Sequence, residues 1–262
     1  MTWSAMFPSY EVFGAKITPT TKYDLVEIAA RHIEAGRGCV IAYQNLHGLY
    51  VSRSDAQFRE LHVRPDTYVH VDGMPIVWLG RLAGLDVLPE HRVTLVDWIW
   101  PLLEAAARGG WRVYSLGGSE AVADAGRSAI LRRLPALDLR GHNGYFSEND
   151  VEANAAIVDE IQSFEPNLII VGMGMGRQER WILKHADELG ETVIVNVGAC
   201  MEYLAGAVRT PPRWMGRAGL EWLFRLGENP RRFAYRYTVE PFIVFASIAS
   251  WLFRDRFSRD RR

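Results

Sequence analysis

Short apolar runs alternate along the chain with longer stretches whose apolar positions recur at helical spacing. The short runs predict six strands: Cys39–Tyr43, Tyr68–Val71, Arg112–Leu116, Leu137–Gly141, Leu168–Val171 and Val193–Val197. The longer stretches predict helices that include Leu95–Arg108, Glu120–Leu134, Asp150–Ser163 and Glu179–Leu189. Apolar strands that alternate with helices are typical of a mostly parallel sheet covered on both faces. The pattern therefore predicts an α/β, Rossmann-like fold.

The two ends of the chain depart from this alternation. A hairpin is predicted around Val12–Ile17, followed by a helix from Thr21 to Glu34. The sequence RTPPRW at 209–214 breaks the pattern, which predicts an α/β domain at 1–207 and a helical appendage at 208–262. Helical segments are expected at Met215–Gly227 and from Phe233 onward. The 13-residue apolar run 241–253 is shorter than the ~20 residues that span a bilayer.

Charge is unevenly distributed between these two parts. The chain has a formal net charge of −1, but residues 208–262 hold 12 Arg against five acidic residues, a net of +7. A basic segment on an acidic body indicates a surface that meets phosphates or anionic lipid. The alternative is a solvated Arg-rich face. The two cysteines, Cys39 and Cys200, lie in apolar runs and are expected to be reduced core thiols.

Candidate chemistry should lie at the carboxyl ends of the strands, where open parallel sheets bind their ligands. Asn45 follows the first predicted strand, and Asp72 with Gly73 closes the second. A carboxylate in that position can act as a general base toward a substrate hydroxyl. The alternative for Asp72 is a cap for the helix that follows.

Glycines follow most of the other strands, and they permit close backbone approach to a ligand. They do not form the G-x-G-x-x-G fingerprint with its acidic partner, which argues against an oxidoreductase, or a G-x-x-x-x-G-K-[ST] loop. No Asp-x-Asp pair occurs, so the sequence does not indicate a diphosphate bound through a metal ion. Arg side chains would have to offset the charge of a leaving group.

An ordered set of motifs resembles the WecG/TagA/CpsF glycosyltransferase family over nearly the whole chain. The set comprises VFGAKI (12–17), NLH (45–47), VDG (71–73), RVTLVD (92–97), YSLGG (114–118), GYF (144–146), VGMGMGRQE (171–179), VGA (197–199), RTPPRW (209–214) and LEWLFRLGENPRR (220–232). The resemblance implies an inverting, metal-independent transferase without a cofactor. Such an enzyme moves a sugar from a UDP-sugar to a sugar on a polyprenyl diphosphate, at the cytoplasmic face of the cell membrane. No nucleic-acid partner is implied.

The resemblance also assigns residues. It implies that Asp72 is the base and that Asn45 and Gln178 are active-site amides. The implied substrate-binding residues are Gly73, Arg92, Thr94, Gly117, Gly118, Gly172, Gly174, Glu179, Gly198, Arg209, Arg225, Arg231 and Arg232. The alternative for Glu179 is a charge favoured by a helix N-terminus.

Several positions depart from the family pattern. Tyr43 stands where many members have Thr, Leu95 replaces a Gly, Gly176-Arg177 replaces Pro-Lys, and Met201-Glu202 replaces Phe-Asp. Tyr43 and Glu202 bear on the identity of the sugar; N-acetylmannosaminuronic acid, N-acetylmannosamine and glucose all stay open. A non-catalytic nucleotide-sugar-binding component of an assembly complex is the alternative function. The apolar last helix needs cover from lipid or from another subunit of a homo-oligomer.

Overall fold

A six-stranded parallel sheet forms the centre of the protein, in a computed structural model that describes residues 6–147 and 149–259. Residues 1–5, 148 and 260–262 of the two predicted domains lie outside the described part, and so do the side chains of Trp251 and Phe253. A small antiparallel hairpin, β1 (Tyr10–Val12) and β2 (Ala15–Ile17), precedes the sheet. The sheet strands are β3 (Cys39–Gln44), β4 (Thr67–Val71), β5 (Arg112–Gly117), β6 (Asp138–His142), β7 (Leu168–Gly172) and β8 (Val193–Asn196). All six predicted strands are confirmed within one residue at each end.

The strand order is β4-β3-β8-β7-β5-β6, and every neighbouring pair is parallel. The helices that precede the appendage are α1 (Lys22–Glu34), α2 (Leu46–Val51), α3 (Ala56–Val63), α4 (Met74–Leu82), α5 (Leu95–Gly109), α6 (Glu120–Arg133), α7 (Val151–Phe164), α8 (Arg177–His185) and α9 (Cys200–Leu204). The predicted helix Glu179–Leu189 therefore begins two residues earlier and ends four residues earlier than expected.

Successive strand residues face opposite layers of helices, as the pleat requires. In β3, Cys39 and Ile41 pack in one buried cluster, with Leu25 of α1 and Trp98 of α5. The neighbouring residues Val40 and Ala42 pack in the other cluster, with Ile161 of α7 and Trp181 of α8. The sheet is thus covered on both faces, and Cys39 and Cys200 are confirmed as buried free thiols.

The C-terminal segment is helical and shares a core with the catalytic part. It contains α10 (Arg213–Arg217), α11 (Glu221–Glu228), α12 (Pro230–Thr238) and α13 (Glu240–Arg259). The single helix predicted at Met215–Gly227 is wrong, because Gly219 takes φ +71° between α10 and α11 and ends the first of them.

Helix α13 attaches the appendage to the α/β part of the chain. Val244 and Ile248 are buried in a cluster with Leu49 of α2 and Val71 of β4. Nδ1 of His47 lies 2.6 Å from Oε2 of Glu240, a carboxylate that is itself buried. Among the described residues, no helix combines the length and apolarity needed to cross a membrane.

Candidate active site

Asp72 lies directly after the last residue of β4, at the edge strand beside β3. Its Oδ2 atom accepts a hydrogen bond of 3.0 Å from Nδ2 of Asn45. The helix-cap alternative for Asp72 is wrong, because Gly73 is the N-cap of α4 and that end has no side-chain cap bond. Gly73 has φ +101°, which turns the chain sharply after Asp72 and suits a residue without Cβ. The carboxylate is therefore held at the strand end by an amide and not by a helix.

Asn45 is fixed by two different bonds. Besides its bond to Asp72, its Oδ1 accepts from the backbone N–H of Gly48 at 2.9 Å and caps α2. Residues 45 and 72 follow strands that pair in register from Val40↔Thr67 to Gln44↔Val71. The sheet thus brings the amide and the carboxylate together, and the helix start fixes which side of the amide faces Asp72.

A polar cavity of about 320 Å³ opens on one side of Asp72. Strand ends supply Tyr43, His70 and Gly198 to its wall, and the appendage supplies Arg209, Arg225 and Arg232. Cationic side chains that share a cavity with strand ends make a site suited to a phosphorylated ligand.

An apolar groove of about 540 Å³ opens on the other side of Asp72. Its wall includes Trp78 and Leu82 of α4, Trp222 of α11 and Phe245 of α13. All four side chains are large and exposed, between 42% and 71%. Asn45, Asp72, Arg225 and Arg236 line both the cavity and the groove, so these four residues form the boundary between them.

Arg225 is the most enclosed cation at this boundary. Its Nε atom is buried without a hydrogen-bond partner among the described residues. Burial lowers the pKa of Arg225, but the nearby Tyr203, Tyr237, Asp72 and Glu221 together hold that pKa above its usual value. An Arg that stays charged and keeps an unused donor beside a carboxylate is available to an anionic ligand.

Gln178 and Glu179 lie behind the cavity wall, and each is 0% exposed. Gln178 donates from Nε2 to the hydroxyl of Tyr43 (3.3 Å) and to Oε1 of Glu179 (2.8 Å), and its Oε1 accepts from the N–H of Gly198. Oε1 of Glu179 also accepts from Nδ2 of Asn196 at 2.8 Å. The network fixes Tyr43 and the backbone of Gly198, both of which line the cavity.

Glu179 also has a role at the start of α8. Its Oε2 accepts from the backbone N–H of Gly176, the residue before the first turn, which agrees with the helix-terminus alternative. Burial raises the pKa of Glu179 to about 7, against the effect of the donors that surround it. Direct contacts from Gln178 and Glu179 to substrate hydroxyls, expected from the sequence, are not available to such enclosed side chains.

A model of the family described as "Glycosyl transferase WecG/TagA/CpsF family" matches residues 10–258. The chain belongs to this family. A protein of Staphylococcus aureus strain NCTC 8325 / PS 47 is 31% identical over 159 residues, which are 61% of this chain and 60% of the relative. Its counterpart in strain MRSA252 is 30% identical over the same length. Both are named N-acetylglucosaminyldiphosphoundecaprenol N-acetyl-beta-D-mannosaminyltransferase. The match thus spans about 60% of these relatives' length.

The fold of this WecG/TagA/CpsF member gathers more than half of the predicted site residues around Asp72. Those that line the polar cavity are Asn45, Asp72, Thr94, Gly174, Gly198, Arg209, Arg225 and Arg232. Gly73 lines the groove. Arg92 instead pairs with Asp97 and with Glu221, both at 3.4 Å, and so ties the start of α5 to α11. Arg231 is exposed on α12 and lies outside both linings.

Three of the predicted glycines lie outside the cavity lining and allow close packing. A Cβ on Gly117 would lie 2.4 Å from the carbonyl oxygen of Gly172, and one on Gly172 would lie 2.6 Å from that of Gly198. On Gly118 a Cβ would lie 3.0 Å from the Val122 side chain of α6. Gly117 and Gly172 thus allow the strand ends to pack closely, and Gly118 allows the close approach of α6.

Among the lining residues that the sequence analysis missed are His70, Asn196 and Arg236. His70 and Asn196 are polar residues in otherwise apolar buried strands, which is the signal that could have found them. Arg236 is one of several Arg in the appendage, and the sequence does not distinguish it. Among the residues that the structure describes, no group of three or more His, Cys, Asp and Glu could hold a metal ion.

Proposed function

We propose that the protein is an inverting glycosyltransferase that uses a UDP-sugar donor and a sugar acceptor carried on a polyprenyl diphosphate. The observation that carries this proposal is the position of Asp72, which lies where a polar, Arg-lined cavity meets an apolar groove. A polar nucleotide-sugar and a lipid-linked sugar need two such surfaces on either side of one base. The S. aureus relatives support the acceptor class, since their name specifies a sugar linked to diphosphoundecaprenol.

In this proposal Asp72 removes the proton from the attacking hydroxyl of the acceptor sugar. The bond from Asn45 occupies Oδ2 and orients the carboxylate, which leaves Oδ1 for the hydroxyl. The oxygen then forms a bond to the anomeric carbon as the bond to the UDP oxygen breaks on the opposite face. Attack from the groove side on a donor in the polar cavity gives inversion.

Arg225 has the most direct role toward the leaving group. It lines both sides of the boundary and carries an unused donor, so its charge can stabilise the β-phosphate as negative charge develops there. Arg209 and Arg232, on the same wall of the cavity, would neutralise the rest of the diphosphate. The appendage therefore completes the site for the donor as well as enclosing it.

The groove would receive the first isoprene units of the acceptor lipid. Trp78, Leu82, Trp222 and Phe245 offer aliphatic and aromatic surface, and water leaves that surface when a lipid chain covers it. Leu252 on α13 and Trp214 on α10 are further exposed apolar side chains of the appendage. With the basic charge of the appendage, this face suits a peripheral position at the inner face of the cell membrane.

A UDP-release assay tests the proposed function. The wild-type protein is incubated with UDP-N-acetylmannosamine, UDP-glucose or a uronate donor, and with a short-chain lipid-diphosphate N-acetylglucosamine. Release of UDP that depends on the acceptor, with a β-linked product from an α-linked donor, supports the proposal. Binding of UDP-sugars without release in any combination would instead support the non-catalytic nucleotide-sugar-binding function.

A further inference from the structure

The floor of the polar cavity carries two polar side chains that the proposed mechanism does not use. Tyr43 of β3 and His70 of β4 are register partners on adjacent strands, with ring centroids 6.1 Å apart. His70 lies two residues before Asp72, and its other side meets the edge of Trp98 at 5.7 Å. Both residues line the cavity, one step deeper in the sheet than the carboxylate.

The hydrogen-bonding capacity of this floor is incompletely used. The Tyr43 hydroxyl accepts from Nε2 of Gln178, so its own proton is free to be donated to a ligand. His70 is only 2% exposed, and its Nδ1 atom has no partner at hydrogen-bond distance and angle among the described residues, although backbone groups of Val71 and Val93 lie close to the ring. Buried polar atoms are normally paired, and an unpaired one beside a cavity indicates a group that a ligand or water supplies.

The charge of the floor is neutral to negative. Burial lowers the pKa of His70 to about 4, so the imidazole is uncharged at neutral pH. The carboxylate of Asp72 stands above it on the same strand, and Glu179 lies behind the Gln178 that bonds Tyr43. The Arg side chains that line the cavity belong to the appendage: Arg225 lies on α11, Arg232 and Arg236 lie on α12, and Arg209 precedes α10. Burial, Glu179 and Asp72 each raise the pKa of Tyr43 by more than Arg236 lowers it.

We propose that Tyr43 and His70 form a specificity subsite that accepts an uncharged hydroxyl or acetamido group of the transferred sugar and rejects a carboxylate. The inference rests on the proposed function and narrows it, since it favours a neutral hexose or N-acetylhexosamine over a uronic acid. A hydroxyl or an acetamido group both donates and accepts, which matches a phenol proton and an unpaired ring nitrogen. A carboxylate would only accept, and it would lie near Asp72, whose charge acts on Tyr43 more strongly than that of Arg236.

Calorimetric binding to the full chain tests the subsite without relying on turnover. The ligands are UDP, UDP-N-acetylmannosamine and the corresponding uronate donor. Wild-type protein should bind the neutral donor on the order of 100-fold more tightly than the uronate, because like charges in an enclosed site repel strongly. Tyr43→Phe should weaken binding of the neutral donor about fivefold, as expected for one lost hydrogen bond, and change UDP binding less than twofold.

Tyr114→Phe is the matched control, since Tyr114 is a fully buried tyrosine of β5 outside the cavity lining. Equal affinity for the uronate and the neutral donor would overturn the proposal. So would a Tyr43→Phe variant that loses affinity for UDP and UDP-sugar alike, because that result means a structural role. His70→Gln gives a second test, and it too should weaken binding of the neutral UDP-sugar while leaving UDP binding nearly unchanged. Acceptor-dependent UDP release, measured separately, decides the proposed function itself.

Discussion

The polar cavity and the apolar groove meet at Asp72, but they are built in different ways. The cavity is set in the ends of parallel strands, with Tyr43, His70 and Gly198 held by buried hydrogen bonds and close packing. The groove lies between helices α4, α11 and α13, and its largest side chains are exposed. A rigid polar site suits a ligand that must be oriented to within fractions of an ångström, and an open apolar surface suits a flexible chain that needs only burial.

The appendage contributes residues to both the cavity and the groove. Arg225 and Arg236 lie on its helices and line the cavity and the groove alike. The contact between His47 and Glu240 attaches the appendage to the rest of the chain. His47 is two residues from Asn45, the residue that orients Asp72. Some substitutions should therefore affect the cavity alone, some the groove alone and some both. Comparing them separates the proposed role of the cavity in binding the donor from that of the groove in binding the acceptor.

The largest effect is expected from Asp72, which serves both sides. Asp72→Asn keeps the shape of the side chain but cannot accept the hydroxyl proton, and base catalysis contributes about 10²–10⁴-fold. Turnover should fall by that factor, with UDP-sugar affinity within a few-fold of wild type. Rate and binding are measured by UDP release and calorimetry. A folded variant with near-normal turnover would mean that Asp72 is not the base.

Arg225 should give the next largest effect. Arg225→Gln removes the enclosed cation at the boundary, and hydrogen bonds to charged groups contribute about 1.5–3 kcal/mol. We expect kcat/KM to fall about 10–100-fold for both donor and acceptor. Arg231→Gln, at an exposed position of α12, is the matched control and should change kcat/KM less than twofold. Equal losses in the two variants would reduce the role of Arg225 to general surface charge.

A groove substitution should affect the lipid acceptor alone. Phe245→Ser removes an aromatic side chain from the groove wall, and burying such a side chain contributes about 1.5–3 kcal/mol. In detergent micelles, KM for a long-chain acceptor should rise about tenfold, and KM for a short water-soluble acceptor should not change.

Phe242→Ser is the control for the groove, because Phe242 is 73% exposed on the same helix and lies outside the groove lining. If the two substitutions act equally on the long-chain acceptor, the groove has no special role. If Phe245→Ser weakens the soluble acceptor as much as the long one, the groove supports the structure of the site and does not bind lipid.

Most of the catalytic architecture could be predicted from the sequence because its causes are local. Each strand was visible as an apolar run, and parallel strands bring their carboxyl ends to one edge. Asp72 and Asn45 were therefore found together, and the hydrogen bond between them follows from strand pairing. The family resemblance identified Arg209, Arg225 and Arg232 among the Arg residues after 208 that line the cavity, but it also included Arg231 and omitted Arg236.

The sequence failed where a residue's neighbours come from distant segments. The motif around Gln178 and Glu179 indicated ligand contacts, but in the fold both side chains are enclosed beside Asn196 and Gly198. Arg92 is in a motif too, and its partner Glu221 lies 129 residues away. The groove combines side chains from three separate helices. Its existence depends on where α13 docks, which periodicity does not specify.

Membrane association should respond moderately to the exposed apolar face of the appendage. Anionic vesicles attract basic residues by about 1 kcal/mol for each one near the surface, so the full chain should sediment with them, less so in high salt. Trp214→Ser should weaken sedimentation a few-fold, because Trp214 is 57% exposed on α10. Tyr145→Ser, on a loop of the α/β part of the chain where Tyr145 is 74% exposed, should have no effect. A wild-type chain that ignores the vesicles at low salt would favour a subunit interface for α13.

The smallest effect is expected from chelation, and it bears on how the polar cavity binds diphosphate. Transferases that clamp a diphosphate through a metal need several carboxylate ligands near it, whereas Arg209, Arg225 and Arg232 line the cavity and no metal-binding group of three or more His, Cys, Asp and Glu occurs among the described residues. If these guanidinium groups neutralise the phosphates, EDTA should leave UDP release unchanged within error. Arg225→Gln should then not be rescued by added Mg²⁺. A loss of activity on chelation that Mg²⁺ or Mn²⁺ restores would assign the phosphate charge to a metal and leave the Arg residues a secondary role.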